Sequence, residues 1–411
     1  MNSEAAAAVS LLNAEAVRTR AQRMLALGLD DRLPNFRIDL SKLDATAARV
    51  IATTRQAYPA LDIPFHSRWR HFVVNGVDRF AEIAKDARWK DKEARARAAF
   101  DLAIVSVFLD AGAGAQWAYT DPQTGKRIGR SEGLALASLD MFARGAFSTM
   151  PGDPLRVDAA ALAQLSAAQL GEGFQVSAAN PLVGIEGRAA LLRALGTLVA
   201  ANPGVFARND SARPGAMFDR LALHAGDGAI AAPTILAELL LQLGPIWPSR
   251  IALGGVPLGD CWRHPAMTTS DATSELVPLH KLSQWLSYSL IEPLQQAGFT
   301  VTDIDGLTGL AEYRNGGLFV DAGVLILRDS DQAARHHDVG SPLVVEWRAL
   351  TVALLDRLAG TIRKKLNMDA VALPLAKILE GGTWAAGRAI ARERRPDGAP
   401  PILVASDGTV F

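Results

Sequence analysis

One cysteine, Cys261, and four tyrosines are all that 411 residues contain of those two types. A single cysteine excludes an internal disulfide framework and a cysteine-rich metal centre. Net charge is missing as well: 43 Lys and Arg balance 43 Asp and Glu. No nucleic-acid face and no anionic membrane surface is therefore expected. No apolar run reaches the roughly 18 residues that a spanning helix needs. The stretch from Met1 to Leu27 lacks a basic n-region followed by an unbroken apolar core, so it does not read as a signal peptide. These absences lead to the expectation of a soluble, cytoplasmic protein whose basic residues act locally.

Helical periodicity is what the chain does have. A hydrophobic fraction of 49% supports a large core. The spacing of apolar residues predicts helices over Ala5–Leu27, Ala45–Tyr58, Lys92–Leu109, Gly133–Phe147, Asp158–Leu170 and Gly187–Ala201. Further helices are predicted over Pro233–Leu243, Glu275–Ala297, Pro342–Leu366 and Val371–Arg392. Ser131 and Asp158 are candidate N-caps. Strand signals are few: a hairpin over Tyr119–Arg130 around Asp121-Pro122-Gln123-Thr124-Gly125, and a short pair within Ile402–Phe411 around Asp407-Gly408. Strands followed by crossover helices do not recur, which argues against a doubly wound sheet. The expected fold is mainly α, a helical globule with a few short β-hairpins. Proline and glycine gather at Met150–Pro154, suggesting an N-terminal helical region (1–150) with a small hairpin. A C-terminal helical region (151–411) would carry most site motifs, with a cleft between the two.

The densest polar segment is Leu307–Asp321, where Glu312, Tyr313, Arg314 and Asn315 stand together before Gly316-Gly317 and a second acid, Asp321. Burying so many polar groups is costly without partners. Arginine forks onto phosphate or carboxylate, and a carboxylate can stabilise a developing cation. The alternative reading is an ion pair closing a turn before a core element. Other clusters hold the rare residues. His66, Arg68 and Arg70 lie beside Trp69, with His71 next. Asp110 ends the Lys92–Leu109 helix, in place to turn the chain or to bond ribose hydroxyls. Arg130-Ser131-Glu132-Gly133 opens the following helix and offers free backbone N–H groups to an anion. Arg250 and Asp260 flank a glycine-rich loop that ends at Cys261. On the predicted helix that follows, His280, Gln284 and Ser287 share a face, with Lys281 beside them. His336-His337-Asp338 is the one adjacent histidine pair and reads as a polar loop, so no metal is expected.

Here the motifs become those of a family. His280-Lys281-Leu282-Ser283-Gln284-Trp285-Leu286, Leu307–Asp321 and Trp347-Arg348-Ala349-Leu350-Thr351 resemble a bacterial and fungal family linked to a non-reductive route of uracil catabolism. That family was long catalogued as a domain of unknown function. Arg130–Gly133, Trp247–Arg250 and Gly254–Asp260 fit it too, so the resemblance spans nearly the whole chain. It implies a place in a pathway that converts uracil to its ribonucleotide, opens the ring and liberates urea. Lys281-Leu282-Ser283-Gln284 followed by Glu312-Tyr313-Arg314 is also similar to queuosine-salvage proteins, which are helical N-glycoside hydrolases. Glu312 occupies the place of their acid before Tyr-Arg. Their second acid would fall near Ser289, where this chain has no carboxylate.

The resemblance implies hydrolysis of an N-ribosyl bond in a nucleotide-like small molecule, most plausibly a ribosylurea 5′-phosphate, without a cofactor. The catalytic candidates are Glu312, Asp321 and Tyr313. Both acids can serve one cleft only if Gly316-Gly317 breaks the element between them. The substrate-binding candidates are Arg314, Asn315, His280, Lys281, Gln284, His66, Arg68, Arg70, Asp110, Arg250 and Asp260. A ureido or ring-opening amidohydrolase and a non-catalytic nucleotide-binding protein are the alternatives.

Overall fold

The computed structural model describes residues 3–110, 112–114, 116–207, 211–247 and 251–405. It is mainly α, with short strands paired into two-stranded sheets. At the centre lies the Lys281–Gln296 helix, buried along nearly its whole length. It packs against Lys92–Phe108 and Ala232–Leu243, while Ala14–Leu29 and Leu43–Ala57 pack against the long Pro342–Leu366 helix. The Lys92–Phe108 helix opens polar, capped by the Asp91 side chain, and every residue from Ala98 to Phe108 is buried. One continuous hydrophobic cluster draws residues from both sides of position 150, from Ala8 to Ile402.

Local chemistry breaks three of the expected helices. Asn13 accepts from Ala16 N and restarts the chain after Ser3–Val9, so the N-terminal helix is two pieces. Ser166 forms a reciprocal capping box with Gln169, splitting Ala159–Ala163 from Ala167–Gly173. The stretch before Lys281 is a strand, Leu276–Pro278, paired antiparallel with Cys261–Arg263. A β-branched and proline-containing run of that kind suits a strand better than a helix. Asp158 precedes a helix without capping it and instead takes Arg156 Nε at 2.8 Å.

The expected hairpin forms as Ala118–Thr120 against Arg127–Gly129. Leu403–Ala405 pairs in parallel with His336–Asp338, a partner remote in sequence. The turn expected at Asp407-Gly408 lies outside the described residues. His336-His337-Asp338 is thus a strand and not a loop, and His337 Nε2 lies 2.8 Å from the Gln332 carbonyl. Among the described residues, no helix is long and apolar enough to cross a membrane.

Two glycine contacts fix the segment that carries Glu312. The Tyr313–Asp321 helix runs unbroken through Gly316 and Gly317. A Cβ on Gly316 would lie 2.7 Å from Trp347 Nε1, so glycine is what lets this helix close on Pro342–Leu366. On its other side a Cβ on Gly387 would stand 2.1 Å from the Arg314 carbonyl oxygen, which brings Trp384–Arg394 equally close. Gly316 and Gly387 thus serve helix packing.

Candidate functional site

One face of the Lys281–Gln296 helix carries Lys281, Trp285, Ser289 and Glu292 at helical spacing. That face meets the 66–72 segment. Ser289 Oγ accepts from Arg68 N at 2.9 Å, and the Ser289 carbonyl accepts from Trp69 Nε1 at 2.7 Å. Glu292 takes Ser67 Oγ at 2.8 Å and Arg70 at 2.5 Å. Arg70 is therefore spent on anchoring the segment. His66 is held from behind by Glu380, with Nδ1 at 2.8 Å from Oε2. Glu380 sits in a π-helical turn, Leu379–Thr383, whose two glycines abut Val50, Thr54 and Ile63. Such turns often mark functional positions.

Arg68 is fully buried under this surface. Its Nε donates to Ser106 Oγ at 2.6 Å, and one terminal nitrogen reaches Ser131 Oγ and Asp110 Oδ1, each at 3.1 Å. Ser131 Oγ also donates to Asp110 Oδ1 at 2.6 Å. Both contacts use the same carboxylate oxygen, and Oδ2 has no partner among the described residues. The Asp110 carboxyl is held below its ordinary range: burial pushes it up, but the Arg68 charge and the Ser131 hydroxyl outweigh that. Asp110 follows directly on a helix end that Arg188 closes by donating to the Leu109 and Gly112 carbonyls. His71 completes the group, its Nδ1 at 3.2 Å from both Arg68 and Ser131 Oγ. Burial and the Arg68 charge bring its pKa down to about 4, so the ring is neutral at physiological pH.

Trp285 lies in the middle. The His66 and His71 ring centroids are 6.3 and 5.7 Å from it, and the Arg68 guanidinium is 5.5 Å away. Its buried indole N–H has no acceptor. One turn earlier, the Lys281 ammonium makes no hydrogen bond or ion pair with a described residue, although it lies within electrostatic reach of Glu312 and Asp110. Burial lowers its pKa, and the two carboxylates oppose that.

Glu312 is the N-cap of its helix. Oε2 accepts from Arg314 N at 2.7 Å and Oε1 from Asn315 N at 2.5 Å. Burial nonetheless raises its pKa against those two donors and against the Lys281 and His66 charges. A shared brace fixes Lys281 and Glu312 relative to each other. Arg348 forks onto Asp260 with two 2.8 Å contacts, and its Nε reaches the Ala311 carbonyl at 3.1 Å. Asp260 Oδ2 in turn accepts from Lys281 N at 2.9 Å. One guanidinium thus ties the start of the Lys281 helix to the residue before Glu312. These contacts hold the Asp260 pKa at about 2 despite burial.

The polar stripe expected to face a ligand turns the other way. Gln284 bonds Thr308 through both ends of its amide, Tyr288 donates to the Thr308 carbonyl, and Ser287 bonds within its own helix. His280, at φ 44°, contacts the Leu11 carbonyl at 3.0 Å. These residues position the 307–311 chain. Asp260 is a structural brace, and Asn315 is buried with its amide nitrogen on the Leu310 carbonyl. Asp321 lies at the far end of the Tyr313–Asp321 helix in a two-pronged ion pair with Arg395, at 2.8 and 2.6 Å. It does not join Glu312, because no break bends the nine-residue helix back. Arg314 donates to the Gly398 carbonyl at 2.8 Å and lies 4.8 Å from the Tyr313 ring. Arg250 lies outside the described residues.

The structure brings Glu312, Lys281, Asp110, Arg68, His66 and His71, singled out separately in the sequence, to one cluster and adds Trp285, Glu132 and Glu380. Trp285 stands within the His280–Leu286 motif. Glu132 followed a recognised helix start, and nothing in sequence marked Glu380. Together these groups make a buried polar cluster around an aromatic ring: a carboxyl with a raised pKa, a carboxylate with a lowered one, and an ammonium unpaired among the described residues. Environments that push two carboxyl groups in opposite directions are how a fold separates a proton donor from a proton acceptor.

"Protein urg3" of Schizosaccharomyces pombe is 40% identical over 412 residues, covering 98% of both chains. "Uracil catabolism protein 4" of Lachancea kluyveri is 38% identical over 411 residues, covering 92% of each. Residues 10–411 match the family described as "Protein of unknown function (DUF1688)", and the chain belongs to that family.

Proposed function

We propose that the protein serves uracil catabolism by hydrolysing the N-ribosyl bond of a ribosylurea 5′-phosphate to urea and ribose 5-phosphate. The observation that carries this reading is that Asp110, anchored through one oxygen to Arg68 and Ser131, and Glu312, pushed the other way in proton affinity, both act on the Lys281 ammonium. The name of the Lachancea kluyveri relative supports the pathway.

In this reading Glu312, protonated, donates its proton to the departing urea as the C1′–N bond breaks with its electron pair going to nitrogen. Asp110, anionic and with Oδ2 unengaged, stabilises the cationic sugar and takes a proton from the water whose oxygen adds to C1′. Lys281 and the Trp285 and His71 ring nitrogens supply donors for the urea carbonyl or the ribose hydroxyls. Tyr313 lines the same end and is held by Arg314 rather than acting as the acid. The thiol of Cys261, the side chain that an alternative acyl-transfer route would need, is buried and pushed well above the usual thiol range, which disfavours it as a nucleophile.

Purified protein incubated with synthetic ribosylurea 5-phosphate is expected to release urea and ribose 5-phosphate in equal amounts. No release at micromolar enzyme, or release of ammonia and carbon dioxide instead of urea, overturns this function.

A further inference from the structure

Several buried arginines in this protein are matched to acids: Arg79 to Asp121, Arg156 to Asp158, Arg213 to Asp101 and Arg348 to Asp260. A group that runs from the buried Arg314 through the half-buried Arg388 to the exposed Arg130 and Arg392 is not. Arg130, Arg314, Arg388 and Arg392 make no ion pair with any described carboxylate. Arg388 and Arg392 stand one turn apart on Trp384–Arg394, and Arg388 lies 5.5 Å from the Trp384 ring. Arg314 and Arg392 meet at Gly398: the first donates to its carbonyl at 2.8 Å, and the second has its Cγ 3.0 Å from where a Cβ would be. The buried Nε atoms of Arg314 and Arg388 have no acceptor. Arg130 opens the Arg130–Ala143 helix at φ 57°, a left-handed conformation that costs a non-glycine residue energy. Its charge acts on both Arg388 and Tyr313, so the group adjoins the Glu312 end of the cluster. Burial and the neighbouring cations depress Arg388, and Glu132 is the one acid that opposes this.

Four mutually repelling cations with only Glu132 acting against them on Arg388, and no ion pair among the described residues, destabilise the free protein. Such an arrangement is retained where an anion completes it, and guanidinium forks are the geometry that grips phosphate oxygens. We propose that Arg130, Arg314, Arg388 and Arg392 form the docking site for the phosphomonoester of the substrate, beside Tyr313. The inference rests on the ribosyl-hydrolase reading for the identity of the sugar, but the anion site stands on its own geometry. Arg68 is fully buried beside Trp285, its Nε and one terminal nitrogen held by Ser106, Ser131 and Asp110, so it and Lys281 are left to the reacting end.

Calorimetric titration tests this without turnover, using ribose 5-phosphate, ribose and inorganic phosphate as probes. The native protein is expected to bind ribose 5-phosphate, with inorganic phosphate competing. The Arg130→Ala/Arg388→Met double variant is expected to lose about tenfold or more in that affinity. Arg388→Lys is expected to recover only part of it, because an ammonium keeps the charge without the fork. Since Arg130 and Arg392 are exposed, Arg130→Ala/Arg392→Ala serves if the first pair fails to fold, with the same loss expected. Native affinity in a folded double variant overturns the site, as does a native protein that binds neither phosphate probe. Phosphate binding that depends on these arginines, in a protein that releases no urea, would sink the hydrolase reading and leave the anion site intact.

Discussion

Asp110 engages Arg68 and Ser131 through Oδ1, at 3.1 and 2.6 Å, and Oδ2 has no partner among the described residues. A carboxylate anchored by one oxygen is held in orientation and in its anionic state while the other oxygen stays available. Asp110→Asn is expected to lower turnover by roughly 100-fold or more, as the loss of a key acid–base group does. It should leave ribose 5-phosphate binding within a few-fold of native. Near-native turnover in a folded Asp110→Asn protein would remove Asp110 from the chemistry.

Glu312 has two separable jobs. Glu312→Ala loses the helix cap, at a cost of about 0.5–2 kcal/mol, whereas Glu312→Gln keeps an accepting oxygen. Both are expected to lose turnover by roughly 100-fold, while thermal unfolding separates them, with Gln the more stable. Should only Glu312→Ala be impaired, and in proportion to its lost stability, Glu312 is a cap and nothing more.

The pH profile follows from the two directions. Asp110 is lowered and must be ionised, so activity falls as pH drops through a value below the ordinary carboxylate range. Glu312 is raised and must be protonated, so activity falls as pH climbs through a value above that range. A bell-shaped kcat/KM profile is expected, and the residual activity of Glu312→Gln should lack its alkaline limb. An alkaline limb that survives this substitution belongs to another group.

Asp260 gives a stability test independent of activity. Its folded pKa of about 2 lies below the unfolded value. Its stabilising contribution, about 2 kcal/mol, is therefore complete above about pH 4 and disappears as pH falls toward the folded value. Asp260→Asn is expected to lower the denaturation midpoint at neutral pH, because Arg348 is left buried without its counter-charge. It should also flatten the acid limb of the stability curve, which chemical denaturation between acid and neutral pH measures.

Asp321→Asn is the contrasting case. It breaks the pair with Arg395 at the remote end of the helix. A modest fall in melting temperature with unchanged turnover is expected. A folded but inactive Asp321→Asn protein would mean that the wrong acid has been assigned.

Much of the helical architecture was legible because apolar spacing is a local property. The Pro342–Leu366 helix falls where its periodicity predicts, and the Asp121–Gly125 turn closes the hairpin it announces. Errors came where a cap or a distant strand competes with periodicity, as at Asn13, Ser166 and Leu276–Pro278. Leu403–Ala405 could not be paired from sequence, since its partner lies more than sixty residues upstream.

By itself the sequence determined the class of fold, the family and the short list of polar residues that a core of this kind must satisfy. Tertiary structure alone decided which of them are satisfied. Gln284 and His280 find protein partners on one face of their helix, while Lys281 and Trp285, on the adjacent face, find none. It also separated Asp321 from Glu312 and brought Asp110, about 170 residues upstream, to within reach of Lys281. The reason is physical: periodicity records which residues leave water, but hydrogen bonds and charge pairs close between elements whose meeting depends on the packing of the whole chain.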